Sequence, residues 1–290
     1  MIALVTDSTC DLSEKILNKY KVEVVPLSVH FGEKVYQDKI DLKTDDFFSM
    51  MEKSQKLPTT SQPSVGMFLE KYEKLAENYD QIISIHLSAA LSGTYKSAKL
   101  ASSEIEKIDV AVLDSKSTTA GLGFLVIMAA KLINKGLKFN EIIKKIESAR
   151  EKLTIFFTVN ELTYLEKGGR IGKAQSLIGN ILNFNPVLEI SGLTGEVEPK
   201  EKVRGYKRTN RRLTELTNDY IADSSQVNIS FVYGRKTDNY NQFKNFLQAS
   251  LLEKENLDYN IFSNKIGAVL GCHAGPLVYG VVVLKGELLD

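Results

Sequence analysis

Residues 81–97 read QIISIHLSAALSGTYKS, and this stretch decides the fold class. Its first part, residues 82–87, is a short apolar run of the kind that a parallel sheet buries on both faces. Small and hydroxyl-bearing residues follow, and a helix is predicted from about Thr94. A strand, a hydroxyl- and glycine-rich turn and a helix N-terminus together favour anion binding, because free N–H groups and the helix dipole attract negative charge.

The same order of elements recurs through the first half of the chain. Residues 2–5 predict a strand that runs into Thr6-Asp7-Ser8-Thr9, and residues 110–113 predict another that runs into Asp114-Ser115. Helices are predicted after each turn. Strands that alternate with helices in this way indicate a parallel sheet with helices on both faces. Several polar loops are then expected to converge on one ligand at the carboxyl ends of the strands.

The second half predicts a smaller α/β domain with a mixed sheet. We therefore expect two domains, residues 1–153 and 154–290, with a ligand tunnel between them. The predicted elements are strands 154–159, 227–233 and 279–284, a hairpin over 187–198, helices over 161–166, 174–183, 207–222 and 241–254, and a glycine-rich loop over 268–276.

The amino-acid composition argues against several classes of function. The 290 residues are 43% hydrophobic and carry a net charge of +1, so no overall field attracts nucleic acid or a membrane surface. The longest apolar run, residues 124–130, is far too short to span a bilayer. The two cysteines lack metal-type spacing, and the first residues do not resemble a signal peptide. We expect a monomeric cytoplasmic protein without a metal or a cofactor.

Two hydroxyl-rich loops and one histidine are the candidate binding residues. Thr60 and Ser61 lie in the first loop, and Ser92 lies beside Gly93 in the second. Each loop alone is more often a turn or a helix cap, but together they predict a receptor for a carboxylate or a phosphate. His273 lies in the glycine-rich loop, whereas the other two histidines fall in predicted strands. Its imidazole would complete the receptor.

A hydrolase is the alternative that these residues leave open. Ser92 and His273 are a possible nucleophile and base, with Asp7 or Asp114 orienting the imidazole. The Gly-x-Ser-x-Gly turn is absent around Ser92, however, which argues against the alternative. Asp7 is a possible base or metal ligand, but we favour a structural role because no second carboxylate motif accompanies it. Dinucleotide and P-loop motifs are incomplete.

One segment departs from the balanced charge of the chain. Residues 200–212 contain a single carboxylate, Glu201, among seven basic side chains. A solvated helix face explains them as well as a docking surface for an acidic partner does. Tyr206 is the one aromatic residue among them, so nucleic acid is the less favoured partner.

These motifs, taken as a set, resemble the DegV family of bacterial fatty-acid-binding proteins. They occur in family order across essentially the whole chain, which makes the resemblance specific. The matching motifs are Thr6-Asp7-Ser8-Thr9, Asp11-Leu12, Thr60-Ser61-Gln62-Pro63-Ser64, Leu91-Ser92-Gly93-Thr94-Tyr95, Asp114-Ser115, Gly121-Leu122-Gly123, Lys167-Gly168-Gly169-Arg170-Ile171, Lys202-Val203-Arg204 and the loop around His273.

The resemblance implies a carrier and not an enzyme. Such proteins bury one long-chain fatty acid, such as palmitate, stearate or oleate, between two domains. They present its carboxylate to a separate fatty acid kinase, which makes acyl phosphate for phospholipid synthesis. The family's carboxylate contacts correspond here to Thr60, Ser92 and His273, with Ser61, Gly93 and Gly271 beside them, and the positions linked to kinase docking correspond to Arg170 and Arg204.

An acyl chain also requires an apolar tunnel. Apolar residues around 171–184 are candidate lining residues, although ordinary packing between the domains explains them equally well. These are Ile171, Leu177, Ile178, Ile181, Leu182 and Phe184.

Overall fold

The computed structural model describes residues 1–178 and 184–289. Its strands are β1 (Ile2–Asp7), β2 (Val22–Val25), β3 (Ser28–Phe31), β4 (Lys34–Gln37), β5 (Thr59–Ser61), β6 (Gln81–His86), β7 (Asp109–Asp114), β8 (Leu153–Thr158), β9 (Asn185–Ser191), β10 (Val197–Val203), β11 (Gln226–Tyr233), β12 (Asp258–Lys265) and β13 (Tyr279–Lys285). Its α-helices are α1 (Glu14–Tyr20), α2 (Thr44–Lys53), α3 (Val65–Ala76), α4 (Thr94–Glu104), α5 (Thr119–Asn134), α6 (Phe139–Glu151), α7 (Thr163–Lys167), α8 (Tyr206–Ile221), α9 (Asp238–Leu252) and α10 (Ala268–Ala274).

A four-stranded parallel sheet forms the N-terminal half, in the order β2-β1-β6-β7. Successive side chains of a strand point to opposite faces, so each strand supplies two cores. Ala3, Val5 and Ile82 pack with α3 and α4, whereas Leu4 and Ile83 pack in the core that contains α5 and α6. The expected parallel sheet with helices on both faces is confirmed.

A six-stranded mixed sheet forms the C-terminal half, in the order β10-β9-β8-β13-β11-β12. Its pairs are antiparallel except for β11 with β12. Phe156 faces the core beneath α8 and α9, whereas its neighbours Ile155 and Phe157 face the N-terminal half. The predicted mixed sheet is therefore confirmed, and its inner face is apolar.

Helix α5 lies between the two sheets. It contacts β1 and β6 on one side and β8, β11 and β13 on the other. Leu122, Leu125 and Val126 are fully buried, as expected for a helix that is apolar on all sides. The core therefore continues across residues 153 and 154, and the division into domains at that point stays a prediction.

Residues 22–31 form two strands that belong to different sheets. Pro26 separates β2, which belongs to the parallel sheet, from β3, which joins a small antiparallel sheet of order β4-β3-β5. Proline has no N–H to donate to a ladder, so the chain leaves the first sheet there. Strand β5 of this small sheet carries Thr60 and Ser61, which the sequence predicted to lie in a hydroxyl-rich loop.

Three further differences concern the C-terminal half. The glycine-rich segment 268–276 contains helix α10, in which Gly271 packs closely against Phe47 and Phe48, and Gly275 follows the helix with a φ of 76°. Strand β12 was missed, since it is a polar strand at the sheet edge. Of the helix predicted over 174–183, the first residues form a 3₁₀ turn, Gly172–Leu177, and residues 179–183 lie outside the described residues.

Candidate functional site

A cavity lies between the two sheets and holds about 850 Å³ of empty space, part of it open to solvent. Pockets that bury small ligands have this size. The carboxyl end of β6 and the start of α5 form one wall, and the inner face of the mixed sheet and α10 form the other. The lining residues are Leu27, Thr60, Gln62, Leu87, Leu91, Ser92, Thr118, Thr119, Ile155, Phe157, Leu165, Arg170, Ile190, Val197, Val232, Ile266, Val269, Leu270, His273, Ala274 and Val278.

Thr60 and His273 meet on the wall of this cavity, although 213 positions of sequence separate them. The hydroxyl Oγ1 of Thr60 and Nε2 of His273 share a hydrogen bond of 2.8 Å. Strand β5 supplies Thr60 and α10 supplies His273, so this bond joins the two halves of the chain. The sequence predicted both residues as carboxylate contacts, and the fold brings them together.

Gly168 and Arg170 enclose the other side of the imidazole. A Cβ atom at residue 168 would lie 2.3 Å from Nδ1 of His273, so only glycine allows this approach. The guanidinium of Arg170 donates to the carbonyl of Gly168 at 2.7 Å and to the carbonyl of Leu91 at 3.0 Å. Arg170 therefore connects the histidine to the loop that carries Ser92.

The imidazole of His273 is held neutral. Burial, together with the positive charge of Arg170, lowers the pKa of His273 to about 4. Its Nδ1 atom is buried and has no hydrogen-bond partner in the part of the chain that the structure describes. A neutral imidazole keeps one N–H, so His273 can donate a hydrogen bond to an anion.

Ser92 lies at the entrance to α4, where the predicted anion-binding turn was expected. Its hydroxyl accepts from the backbone N–H of Thr94 at 3.3 Å and bonds the Thr94 hydroxyl at 2.9 Å. Ser92 lines the same cavity as Thr60 and His273. The neutral hydroxyls, the imidazole and Arg170 thus face one space, and no carboxylate of the described residues lines it.

Three of the predicted contact residues lie behind the cavity wall. Ser61 points outward and bonds His30 at 2.9 Å. Gly93 packs against the side chain of Gln62, and Gly271 packs against Phe47 and Phe48. These residues shape the elements that carry Thr60, Ser92 and His273, and their roles as ligand contacts stay predictions.

Sequence reasoning missed several residues on the wall. Arg170 was expected at a docking surface, yet it lines the cavity. The cavity is also lined by Gln62, Thr118 and Thr119. The hydroxyl and amide groups of their motifs were the sequence feature that could have identified them. Strands of the mixed sheet supply one part of the apolar wall, and α10 and the loops after β2 and β6 supply another. Residues 171, 177, 178 and 184 are not among the lining residues. Ile181 and Leu182 lie outside the described residues.

The geometry does not assemble a catalytic triad around Ser92. Asp7 binds His86 at 3.0 Å and the backbone N–H of Leu87 at 2.9 Å, which is the structural role that we favoured. Asp114 accepts from the backbone N–H groups of Ala89 and Lys116. Neither carboxylate orients His273, because its Nδ1 has no hydrogen-bond partner among the described residues and its Nε2 bonds Thr60 and not Ser92. The described residues also contain no group of three or more side chains suited to hold a metal ion.

The basic segment 200–212 is partly paired. Arg212 forms ion pairs with Glu201 at 2.7 Å and Glu215 at 3.1 Å, and Lys200 pairs with Glu189. Arg204 instead lies over the ring of Phe184, 5.1 Å from its centroid, and its side chain is exposed. Arg204 is thus available to a partner, whereas Arg212 is engaged within the chain. Within residues 1–178 and 184–289, no helix is long and apolar enough to cross a membrane.

Comparison with known proteins gives a family match over nearly the whole chain. A family model described as "Uncharacterised protein, DegV family" matches residues 1–286. A DegV domain-containing protein of Halalkalibacterium halodurans is 36% identical over 275 residues, which are 94% of this chain and 95% of that protein.

Solved structures share the fold. A DegV family protein from Thermus thermophilus, described by its fatty acid binding, superposes with a TM-score of 0.91 at 31% identity, over 98% of this chain and 99% of that one. A stearic-acid-binding protein from Eubacterium ventriosum has a TM-score of 0.88 at 28% identity, over 98% of each chain.

Proposed function

This chain belongs to the DegV family, and we propose that it binds one long-chain fatty acid in the cavity between its two sheets. The acyl chain lies along the apolar inner face of the mixed sheet. Its carboxylate lies at Thr60, Ser92 and His273. The fatty-acid-binding relatives from Thermus thermophilus and Eubacterium ventriosum support this proposal.

The observation that carries the proposal is the distribution of polarity in the cavity. Its wall is mainly aliphatic, and Thr60, His273 and Arg170 on that wall are connected, through Gly168 and the carbonyl of Leu91, to the loop of Ser92. An amphiphile with one anionic end matches this distribution. At about 0.8 kcal/mol for each buried CH₂ group, a sixteen-carbon chain gains roughly 10 kcal/mol before the costs of ordering.

Extraction of the purified protein is the direct test. We expect denaturing mass spectrometry to find a long-chain fatty acid from the expression host at close to one equivalent. The lipid should be absent from a parallel extract of an unrelated protein purified in the same way. A lipid-free protein that also fails to bind palmitate and oleate would refute the proposal.

We further propose that the bound carboxylate is the substrate of a separate fatty acid kinase, which makes acyl phosphate for phospholipid synthesis. The protein itself is then a carrier and not an enzyme. Thr60, Ser92 and the neutral His273 hold the carboxylate through hydrogen bonds, without a full ion pair, so an oxygen stays available to accept a phosphoryl group. The proposed carrier is a monomer in the bacterial cytoplasm, with domains 1–153 and 154–290.

Arg204 and Arg170 are the proposed contacts with the kinase. We expect Arg204→Ala to leave fatty-acid affinity nearly unchanged and to slow acyl phosphate formation at low salt. The difference should shrink at physiological ionic strength, where charges are screened beyond about 8 Å. Arg212→Ala is the matched control, because Arg212 is already paired with Glu201 and Glu215. Lost lipid binding with normal kinase coupling would instead place Arg204 at the ligand.

A further inference from the structure

A buried charge cluster, formed by Asp11, Asp38 and Lys39, lies beside the cavity. It takes no part in the proposed carboxylate contacts. The ammonium of Lys39 lies 3.1 Å from Oδ1 of Asp11, whose side chain is 1% exposed. The same oxygen accepts the backbone N–H of Gly267 at 2.9 Å. One carboxylate oxygen of the N-terminal half thus holds the backbone of the C-terminal half.

The cluster is bonded to the elements that form the cavity. Gly267 directly precedes α10, which carries His273, and Ile266 on its other side lines the cavity. The backbone N–H of Asp38 donates to the carbonyl of Leu27 at 2.9 Å, and Leu27 also lines the cavity. The side chain of Asn264 donates to the carbonyl of Asp11 at 3.1 Å.

Backbone conformation shows how tightly the cluster is held. Asp11 and Lys39 have φ angles of 50° and 66°, a region that residues other than glycine seldom adopt. Such conformations persist only where the surrounding structure determines them. A Cβ atom at Gly267 would lie 2.8 Å from Oδ1 of Asp11, so a residue larger than glycine would clash with this carboxylate.

Stability alone is a poor explanation for buried charges. Burial raises the pKa of Asp11 and that of Asp38, which reaches about 6, while Lys39 opposes both shifts. Apolar residues of similar volume are often at least as stabilising as a buried ion pair. Directed hydrogen bonds, by contrast, fix the position of a backbone segment.

We propose that Asp11 and Lys39 are positioning residues that hold α10 so that His273 meets Thr60 and the ligand carboxylate. This inference rests on the proposed function for its ligand, but the contacts between Asp11, Gly267 and α10 stand without it. Asp11 fixes the start of α10, and Lys39 fixes Asp11. His273 lies less than two helical turns further along α10.

The test follows the imidazole of His273 directly, in lipid-free protein. The chain has only three histidines, so labelled imidazole signals can be assigned by NMR with single-histidine variants. In the wild type we expect His273 to titrate near 4, set by burial and by Arg170. In Asp11→Ala and in Lys39→Gln, water reaches a displaced imidazole, so the pKa of His273 should rise toward its ordinary value of about 6.5.

Fatty-acid affinity is the second readout. We expect it to fall about tenfold in both variants, a loss comparable to that of one hydrogen bond. Asp11→Asn keeps an oxygen for the N–H of Gly267 and should restore most of the His273 titration. Lys71→Gln is the matched control, because the Lys71 side chain is about as exposed as that of Lys39 and pairs with Glu23 at 2.7 Å, distant in sequence from α10.

The possible results distinguish the positioning role of Asp11 and Lys39 from the proposed binding of a fatty acid. An unchanged His273 titration in Lys39→Gln, or a shift of equal size in Lys71→Gln, would overturn the positioning role. If Asp11→Ala does not fold, Lys39→Gln decides the question. If His273 shifts as expected but the wild-type protein binds no fatty acid, the positioning role stands and the proposed function fails.

Discussion

A Val269→Trp variant is expected to be purified without fatty acid and to bind none in titrations. Val269 lies on α10, is 3% exposed and lines the cavity. An indole at this position would occupy the space that the acyl chain requires. Most of the roughly 10 kcal/mol of chain burial would then be lost, which corresponds to a loss of affinity of several orders of magnitude.

The fold should survive this substitution because the new side chain enters an existing cavity. Overpacking of a filled core costs about 1–3 kcal/mol, and the empty volume here reduces that cost. Val35→Trp is the control, since Val35 lies on β4 and is 56% exposed. Mass spectrometry of the extracted lipid and thermal unfolding together give the answer. A folded Val269→Trp protein that still carries fatty acid would place the lipid elsewhere.

The second large effect is expected at the carboxylate. Ser92→Ala and His273→Ala should each weaken fatty-acid binding by about 10- to 100-fold, because each removes a charge-assisted hydrogen bond worth about 1.5–3 kcal/mol. Ser102→Ala is the control, because Ser102 lies on α4 outside the cavity lining and its hydroxyl donates to the carbonyl of Lys99. Titration with palmitate and oleate measures all three variants.

The same variants distinguish a carrier from an esterase. A hydrolase that used Ser92 and His273 would turn over a p-nitrophenyl ester and would lose that activity in Ser92→Ala. We expect no serine-dependent turnover, because Asp7 and Asp114 are engaged elsewhere and Nε2 of His273 bonds Thr60. Robust wild-type esterase activity that Ser92→Ala abolishes would reverse the assignment.

Sequence patterns predicted the strands and helices whose own residues favour that structure. Strand β6 and helix α4 follow the pattern of residues 81–97. Strand β12 was missed because its sequence, DYNIFSNK, alternates weakly. Strand β12 lies at the sheet edge and is stabilised by its pairing with β11, which its own residues do not indicate.

The site was predictable by residue type more than by position. Thr60, Ser92 and His273 bear polar groups in turn-like segments, and all three line the cavity. Arg170 could not be assigned to the wall, because its placement depends on carbonyls of Leu91 and Gly168. The aliphatic wall was equally hidden, since Ile155 and Ile190 resemble ordinary strand residues until two sheets face each other.

The position of helix α5 between the two sheets affects how the chain unfolds. Because both sheets bury this one helix, removing either sheet would expose a face of Leu, Val and Phe side chains to water. Each half would keep the core on its outer face but lose the core that both sheets share with α5. Unfolding should be a single cooperative transition, and fragments cut near residue 153 should be insoluble apart yet able to reassemble when refolded together. Two sheets that share a helix in this way should unfold together as one unit.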